Sequence, residues 1–147
     1  MPMLEVPGTF TMLVPEGWNA SQDGRTYELT RPGEDGAVHV SVYDRDGSPL
    51  GEDEAGRLAS RFIERAVVSD SVAVTVLKED QSQHRAVARF TSDGDGSAYA
   101  WLVFLVLWRE RFLICSCNAV PDSSLLDEAE RMFATIFKPK KSLFRKK

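Results

Sequence analysis

Alternating apolar and polar residues, together with short apolar runs, predict seven β-strands. The predicted strands span residues 9–14, 25–30, 38–43, 72–76, 86–90, 99–108 and 112–120. The run 99–108 is apolar on both faces, which in a strand indicates cover on both sides of the sheet. Pro15 and Gly17 predict a turn after the first strand, and the Asp-Gly pairs within 92–96 predict a tight hairpin before 99–108.

Apolar residues spaced three and four positions apart predict two helices. The first covers residues 52–68, begins with acidic residues that favour the helix dipole, and has an apolar stripe of Ala55, Leu58, Ala59, Phe62, Ile63 and Ala66. The second follows Pro121, with Ser124 and Asp127 placed as a capping box. Its predicted buried stripe is Leu125, Leu126, Ala129, Met132, Phe133 and Ile136.

This order of elements predicts an α+β fold in which one antiparallel sheet of about seven strands lies between two main helices, an α/β/α sandwich. A chain of 147 residues with 43% hydrophobic and 27% charged residues has the composition of an ordinary globular protein. We expect a single domain over residues 1–137. The N-terminus lacks the pattern of a secretory signal, and the apolar run 98–108 is too short for a membrane helix, so we expect a cytoplasmic protein.

The front and the rear of the chain resemble a known family. At the front the sequence GTFTMLVPEGW ends in Trp18, and at the rear the strand 112–120 leads into an amphipathic helix with Phe133 and Ile136. These features resemble the PsbP-like superfamily, and among its members the bacterial DcrB-like and Eag-type chaperone domains. The resemblance implies an α/β/α sandwich, a buried Trp18, and a role in binding or assembly, which in Eag-type chaperones is the shielding of hydrophobic segments.

Positive charge is concentrated in the last ten residues, although the whole chain has a net charge of −4. The six basic residues of this tail are Lys138, Lys140, Lys141, Arg145, Lys146 and Lys147. The remaining body has a charge of −10 and will repel phosphates, so we expect no specific nucleic acid binding. The tail has the composition of a flexible segment that either aids solubility or makes a weak contact with a polyanion or an anionic membrane.

Candidate metal sites have simpler structural interpretations. Cys115 and Cys117 face the same side of a predicted strand, but a zinc site needs about four ligands and neither histidine is at a ligand spacing, so core packing is favoured. The sequences 44–48 and 93–97 both read Asp-x-Asp-Gly-Ser, yet the positions of the bidentate calcium ligand hold Ala55 and Phe104. Both are predicted to be turns, and we expect no metal or cofactor.

No catalytic motif is present around His39, His84 or elsewhere, so we expect a non-catalytic protein. The aromatic residues of the strand 99–108 either fill the core or form part of a partner-binding surface: Tyr99, Trp101, Phe104 and Trp108. The leading hypothesis is an adaptor or chaperone-like domain that receives a hydrophobic peptide or protein segment on the sheet face of 99–108 and 112–120. The alternatives are an enzyme with a cleft beside the sheet, and a structural homodimer formed through a sheet face or edge.

Overall fold

A seven-stranded antiparallel sheet forms the centre of the computed structural model, which describes residues 3–34, 36–67, 72–94, 97–121 and 123–138. The strands among these residues are β1 Met3–Val6, β2 Phe10–Leu13, β3 Asn19–Asp23, β4 Thr26–Thr30, β5 Ala37–Asp44, β6 Thr75–Asp80, β7 Gln83–Gly94, β8 Ser97–Leu107 and β9 Arg111–Ala119. The helices are α1 Glu54–Val67 and α2 Leu125–Phe133. The main sheet has the order β3-β4-β5-β9-β8-β7-β6, while β1 and β2 pair with each other in a separate hairpin.

The two helices lie on opposite faces of the main sheet, because strand β8 is apolar on both of its faces. Leu102 packs with Phe133 of α2 in one cluster, whereas Leu105 packs with Ala59 of α1 in another. The β1–β2 hairpin lies on the α2 side, where Phe10 joins the same cluster as Phe133. This arrangement confirms the predicted α+β fold, with one antiparallel sheet between two helices, and the predicted cover on both faces of the strand.

The main sheet has the predicted number of strands, but one of its members differs and another is displaced. The predicted strand 72–76 corresponds to β6, which begins at Thr75 and continues to Asp80. The predicted strand 9–14 pairs with β1, which the sequence pattern did not indicate, and lies outside the main sheet. Its place is taken by β3, whose five residues Asn19–Asp23 are all exposed. An exposed edge strand whose one apolar residue is Ala20 has no alternation to detect, so the sequence pattern does not predict β3.

The start of α2 differs from the prediction, because Ser124 and Asp127 do not form a capping box. Ser124 is the N-cap residue, but its backbone has φ −80° and ψ 1° and its side chain makes no capping hydrogen bond. The hydroxyl of Ser123 instead accepts a hydrogen bond from the Leu125 backbone N–H at 3.0 Å. The predicted apolar stripe of this helix is confirmed, since all six of its residues are buried.

Trp18 is half-buried, so the implied burial of this residue is correct only for part of its ring. The indole packs against the α2-side core, while its N–H donates a 2.7 Å hydrogen bond to a carboxylate oxygen of Glu128 on α2. Arg31 binds the same carboxylate at 2.8 and 2.9 Å and lies 5.7 Å from the ring centroid. These polar partners at the rim of the core keep one edge of the indole near solvent.

The first Asp-x-Asp-Gly-Ser sequence forms a turn, as predicted. An oxygen of Asp46 accepts a hydrogen bond from the Ser48 backbone N–H at 3.0 Å, and Gly47 has a φ of 85°. The second sequence and the predicted Asp-Gly hairpin include residues 95 and 96, which lie outside the described residues. Strands β7 and β8 nevertheless pair from His84↔Leu107 to Gly94↔Ser97, so they are joined as a hairpin.

Arg45 ties this turn to the start of α1. Its guanidinium donates hydrogen bonds of 2.6 and 2.7 Å to the two carboxylate oxygens of Glu54, and others to the backbone carbonyls of Ser48, Pro49 and Arg109. Both side chains of the ion pair are largely buried, at 10% and 22% exposure. The hydrogen bonds from Arg45 lower the pKa of Glu54 below its ordinary value.

We expect Glu54→Gln to lower the free energy of unfolding by about 1–2 kcal/mol at neutral pH, because the substitution weakens a charge-assisted pair. A carboxyl group with a lowered pKa in the folded state stabilises the fold above its unfolded pKa, near 4.3, and this contribution is lost as the pH falls through the folded pKa. Urea unfolding from pH ~7 to ~3 should therefore show a weaker acid dependence in Glu54→Gln than in the wild type. Glu64→Gln, on the exposed face of α1, is the matched control, and parallel curves for wild type and Glu54→Gln would contradict the assignment.

Candidate binding groove

Helix α1 covers only half of its sheet face. It packs on β6, β7 and β8 and on Ile114 of β9, and the α1 side of strands β5, β4 and β3 extends beyond it. We call the uncovered part, formed by the α1-facing residues of these three strands, the open half-face.

The strand register explains why the helix stops at this point. One cross-strand row runs through Ala86, Leu105 and Ile114 and then changes to the hydroxyl side chains of Ser41 and Thr26. The first three residues of this row are buried and pack with α1. An apolar helix surface gains little by covering hydroxyl groups, so the cover ends where the row becomes polar.

The neighbouring row has the same division. It runs through Ala88 and Val103, which are buried with Ile63 of α1, and continues through Ser116 to His39 and Glu28. Where the two rows reach the open half-face, their polar side chains interact in pairs across neighbouring strands. The hydroxyls of Thr26 and Ser41 are 2.9 Å apart, and His39 Nε2 lies 3.2 Å from Glu28 Oε2.

A groove of about 430 Å³ lies where the open half-face meets the side of α1. Phe62 and Ala66 of α1, Trp101 of β8 and Ile114 of β9 supply its apolar surface. Its polar surface consists of Thr26, His39, Ser41, Ser116 and Asn118. The groove can therefore accept a ligand that is apolar along one side and forms hydrogen bonds along the other.

Trp101 is held in place at the end of the groove. Its indole N–H donates a 2.9 Å hydrogen bond to the Ser92 hydroxyl, and its ring stacks on Phe90 with a centroid distance of 6.1 Å and an interplanar angle of 1°. The ring is only half-buried. An aromatic surface that is fixed in orientation and partly exposed is typical of a binding site.

The structure does not bring the four sequence-predicted aromatic residues together on one surface. Tyr99 and Trp101 lie on the α1 side and keep part of their side chains exposed, with Tyr99 at 40%. Phe104 and Trp108 lie in the α2-side core and are buried at 4% and 1% exposure. A surface ligand therefore reaches only the first pair, and the second pair fills the core.

The polar residues of the groove were not singled out as site residues by the sequence analysis. A signal for them was available, since Ser116 and Asn118 interrupt an otherwise apolar strand at alternating positions. His39 and Ser41 are the polar positions of another alternating strand. The pairing of these two strands, which brings the four residues side by side, was not available from the sequence.

Cys115 and Cys117 face away from the groove into the α2-side core, where both are buried. Their location confirms the core-packing interpretation. Burial raises the pKa of both thiols, that of Cys117 to about 12, so they are protonated at neutral pH. In the described part of the chain, no group of three or more metal-binding side chains is found, and no helix is long and apolar enough to cross a membrane.

An antiparallel sheet between two helices, with a half-covered face, defines this chain as an α+β sandwich domain. No family model and no curated protein matches its sequence. Among solved structures, a protein from Bacteroides thetaiotaomicron VPI-5482 is similar with a TM-score of 0.61 and 21% identity, covering 95% of this chain and 48% of that one. LpqN, involved in cell envelope biogenesis of Mycobacterium tuberculosis, is similar with a TM-score of 0.53 and 14% identity, covering 92% of this chain and 88% of its own.

These similarities show a related fold and nothing finer, because the identities are low. This chain spans about half the length of the Bacteroides protein. Neither similarity identifies the PsbP-like superfamily or its DcrB-like and Eag-type members, so that assignment stays a resemblance.

Proposed function

We propose that this protein is a non-catalytic binding domain of the adaptor or chaperone type, and that its groove receives an amphipathic helix from a protein partner. The observation that carries the proposal is the half-covered sheet face, on which α1 leaves three strands exposed beside an apolar wall. The bound helix would lie next to α1 and complete the cover of this face.

The dimensions of the open half-face suit a helix. Neighbouring strands are about 4.8 Å apart, so three strands give a surface roughly 10–15 Å wide. A helix with its side chains is about 10–12 Å in diameter, and one such element fits between α1 and the edge strand β3.

The chemistry of the groove defines the kind of helix that fits. The side of the groove next to α1 offers Phe62, Trp101 and Ile114 to apolar side chains. The side next to β4 offers the Ser41 hydroxyl and His39 to polar ones. Amphipathic helices recognised in grooves present apolar residues at three- and four-residue spacing, with polar residues alongside.

Three related predictions stand beside this proposal. LpqN is described as acting in cell envelope biogenesis, a setting compatible with an adaptor role but different from the cytoplasm, so the cytoplasmic location of this chain stays a prediction. The cleft enzyme and the homodimer are likewise predictions, and the geometry of the groove does not favour either over a binding domain.

Panning a displayed library of random peptides on the wild-type protein tests the proposal. We expect enriched sequences with apolar residues at helical spacing. Ser41→Arg, which places a long cationic side chain in the groove, should weaken the binding of the enriched peptides by about tenfold or more. Gln22→Arg makes a similar change on the exposed edge strand β3, outside the groove lining, and should bind like the wild type.

Circular dichroism and urea unfolding of both variants establish that each is folded. A library that yields no enriched peptide would contradict the proposal. Enriched peptides that bind wild type and Ser41→Arg equally would contradict it as well, because their site would then lie elsewhere.

A further inference from the structure

A second apolar surface lies on the opposite side of the main sheet, at the β1–β2 hairpin. Met3 and Phe137 are 54% and 56% exposed there, among the most exposed large apolar side chains of the described residues. With Val6 and Pro7 they line a groove of about 700 Å³. We call these four residues the hairpin patch.

The exposure of Phe137 is built into the fold, because its backbone is fixed. Its N–H donates to the Thr11 carbonyl at 3.0 Å, and its own carbonyl accepts from the Thr11 N–H at 3.0 Å. The residue before it, Ile136, is fully buried. The backbone therefore holds the Phe137 side chain outward beside the hairpin. Its exposed apolar area is unfavourable in water, and binding to an apolar surface would offset this free energy.

Positive charge is continuous in sequence with this patch. Lys138 lines the same groove, and five more basic residues follow it between positions 140 and 147 without any acidic residue. Three acidic side chains oppose this charge locally. Glu5 lies in the groove lining, and Glu110 is 3.8 Å from the Lys138 ammonium. Asp80 also interacts electrostatically with Lys138. The basic residues of the tail outnumber them.

We infer that the hairpin patch and the basic tail together bind the surface of an anionic lipid bilayer. Apolar side chains such as Phe137 and Met3 would enter the boundary between headgroups and acyl chains, while the basic residues would contact the anionic headgroups. Neither signal suffices alone, because a polybasic segment is screened by salt and a small apolar patch gains little area. Charge complementarity is what favours a lipid surface over an uncharged apolar partner.

This inference does not depend on the proposed function. The hairpin patch belongs to the α2 side of the sheet and the groove beside α1 belongs to the other. A domain bound to a bilayer through the patch would leave that groove directed away from the membrane, free to receive its helix.

Vesicle co-sedimentation of the full chain tests the inference. The vesicles contain either phosphatidylcholine alone or phosphatidylcholine with one part in three phosphatidylglycerol, and the salt concentration is raised in steps. We expect binding to the anionic vesicles at low salt that weakens as salt is added. Phe137→Ser should lower the partition coefficient about fivefold to tenfold, whereas Phe137→Trp should retain it, since tryptophan also favours the interface.

Val120→Ser is the matched control, because Val120 is 47% exposed near the start of α2, away from the patch, and should bind like the wild type. Removal of residues 139–147 should abolish binding. Equal binding by wild type and Phe137→Ser would overturn the inference, because Phe137 would then make no contribution to membrane binding. The same result is expected if Leu143 and Phe144 of the tail occupy the patch themselves. Equal binding to neutral and anionic vesicles, or to neither, would overturn it too.

Discussion

Replacing Trp108 by alanine should lower the free energy of unfolding by about 3–5 kcal/mol, the range for truncation of a large buried aromatic residue. The side chain is 1% exposed and packs in the α2-side core. Its indole N–H also donates a 2.6 Å hydrogen bond to the Gln83 side chain, which the substitution would remove. Urea unfolding followed by circular dichroism measures the change.

Tyr99→Ala is the control for this prediction, because Tyr99 lies on the same strand but is 40% exposed. We expect it to change stability by less than about 1 kcal/mol. Similar losses for the two variants would mean that Trp108 does not have the core role assigned to it. If Trp108→Ala instead loses peptide binding and keeps its stability, Trp108 belongs to the partner-binding surface.

Gly36→Ala should destabilise the protein by about 3 kcal/mol, although it adds a single methyl group. A β-carbon at this buried position would overlap the backbone carbonyl oxygen of Asn118 and lie 2.5 Å from a methyl group of Leu125. Leu125 can rotate, but the carbonyl belongs to β9 in the centre of the sheet and can move only with its strand. Overpacking of this kind costs about 1–3 kcal/mol or more.

Gly51→Ala provides the comparison, since its β-carbon would meet only flexible side chains, those of Glu54 at 3.3 Å and Arg57 at 3.9 Å. We expect a change of less than about 1 kcal/mol there. If Gly36→Ala unfolds at the same urea concentration as the wild type, the prediction is wrong. That result would show that α2 packs less closely on the β5–β9 end of the sheet than the structure describes.

The fold was largely predictable because most of its elements bury one or both faces. The α2 stripe from Leu125 to Ile136 and the doubly apolar strand β8 have clear patterns, and each lies where its pattern indicates. The strand β3 has no buried residue, so its sequence contains no trace of its pairing. The predicted capping box at the start of α2 is wrong because Ser123 and Ser124 both carry hydroxyl groups. The sequence does not distinguish which of the two accepts a hydrogen bond from a backbone N–H.

The candidate groove was only partly predictable. The concentration of aromatic residues on 99–108 pointed to a strand that contributes to the groove, since Trp101 lines it. The alternation of that strand also implied that Phe104 and Trp108 face the other side from Trp101, but it could not show which side a helix covers. The polar half of the groove depends on β5 lying beside β9, a contact between segments about seventy positions apart in sequence.

The indole N–H resonances of the protein give the most direct test of the proposed groove. Each of the three tryptophans donates to a different acceptor: Trp18 to Glu128, Trp101 to Ser92 and Trp108 to Gln83. Only Trp101 lines the groove. In ¹H–¹⁵N spectra, assigned with a Trp101→Phe variant, titration with a peptide enriched by panning should move the Trp101 indole signal and leave the other two in place. Movement of the Trp18 or Trp108 signal with a stationary Trp101 signal would contradict the account.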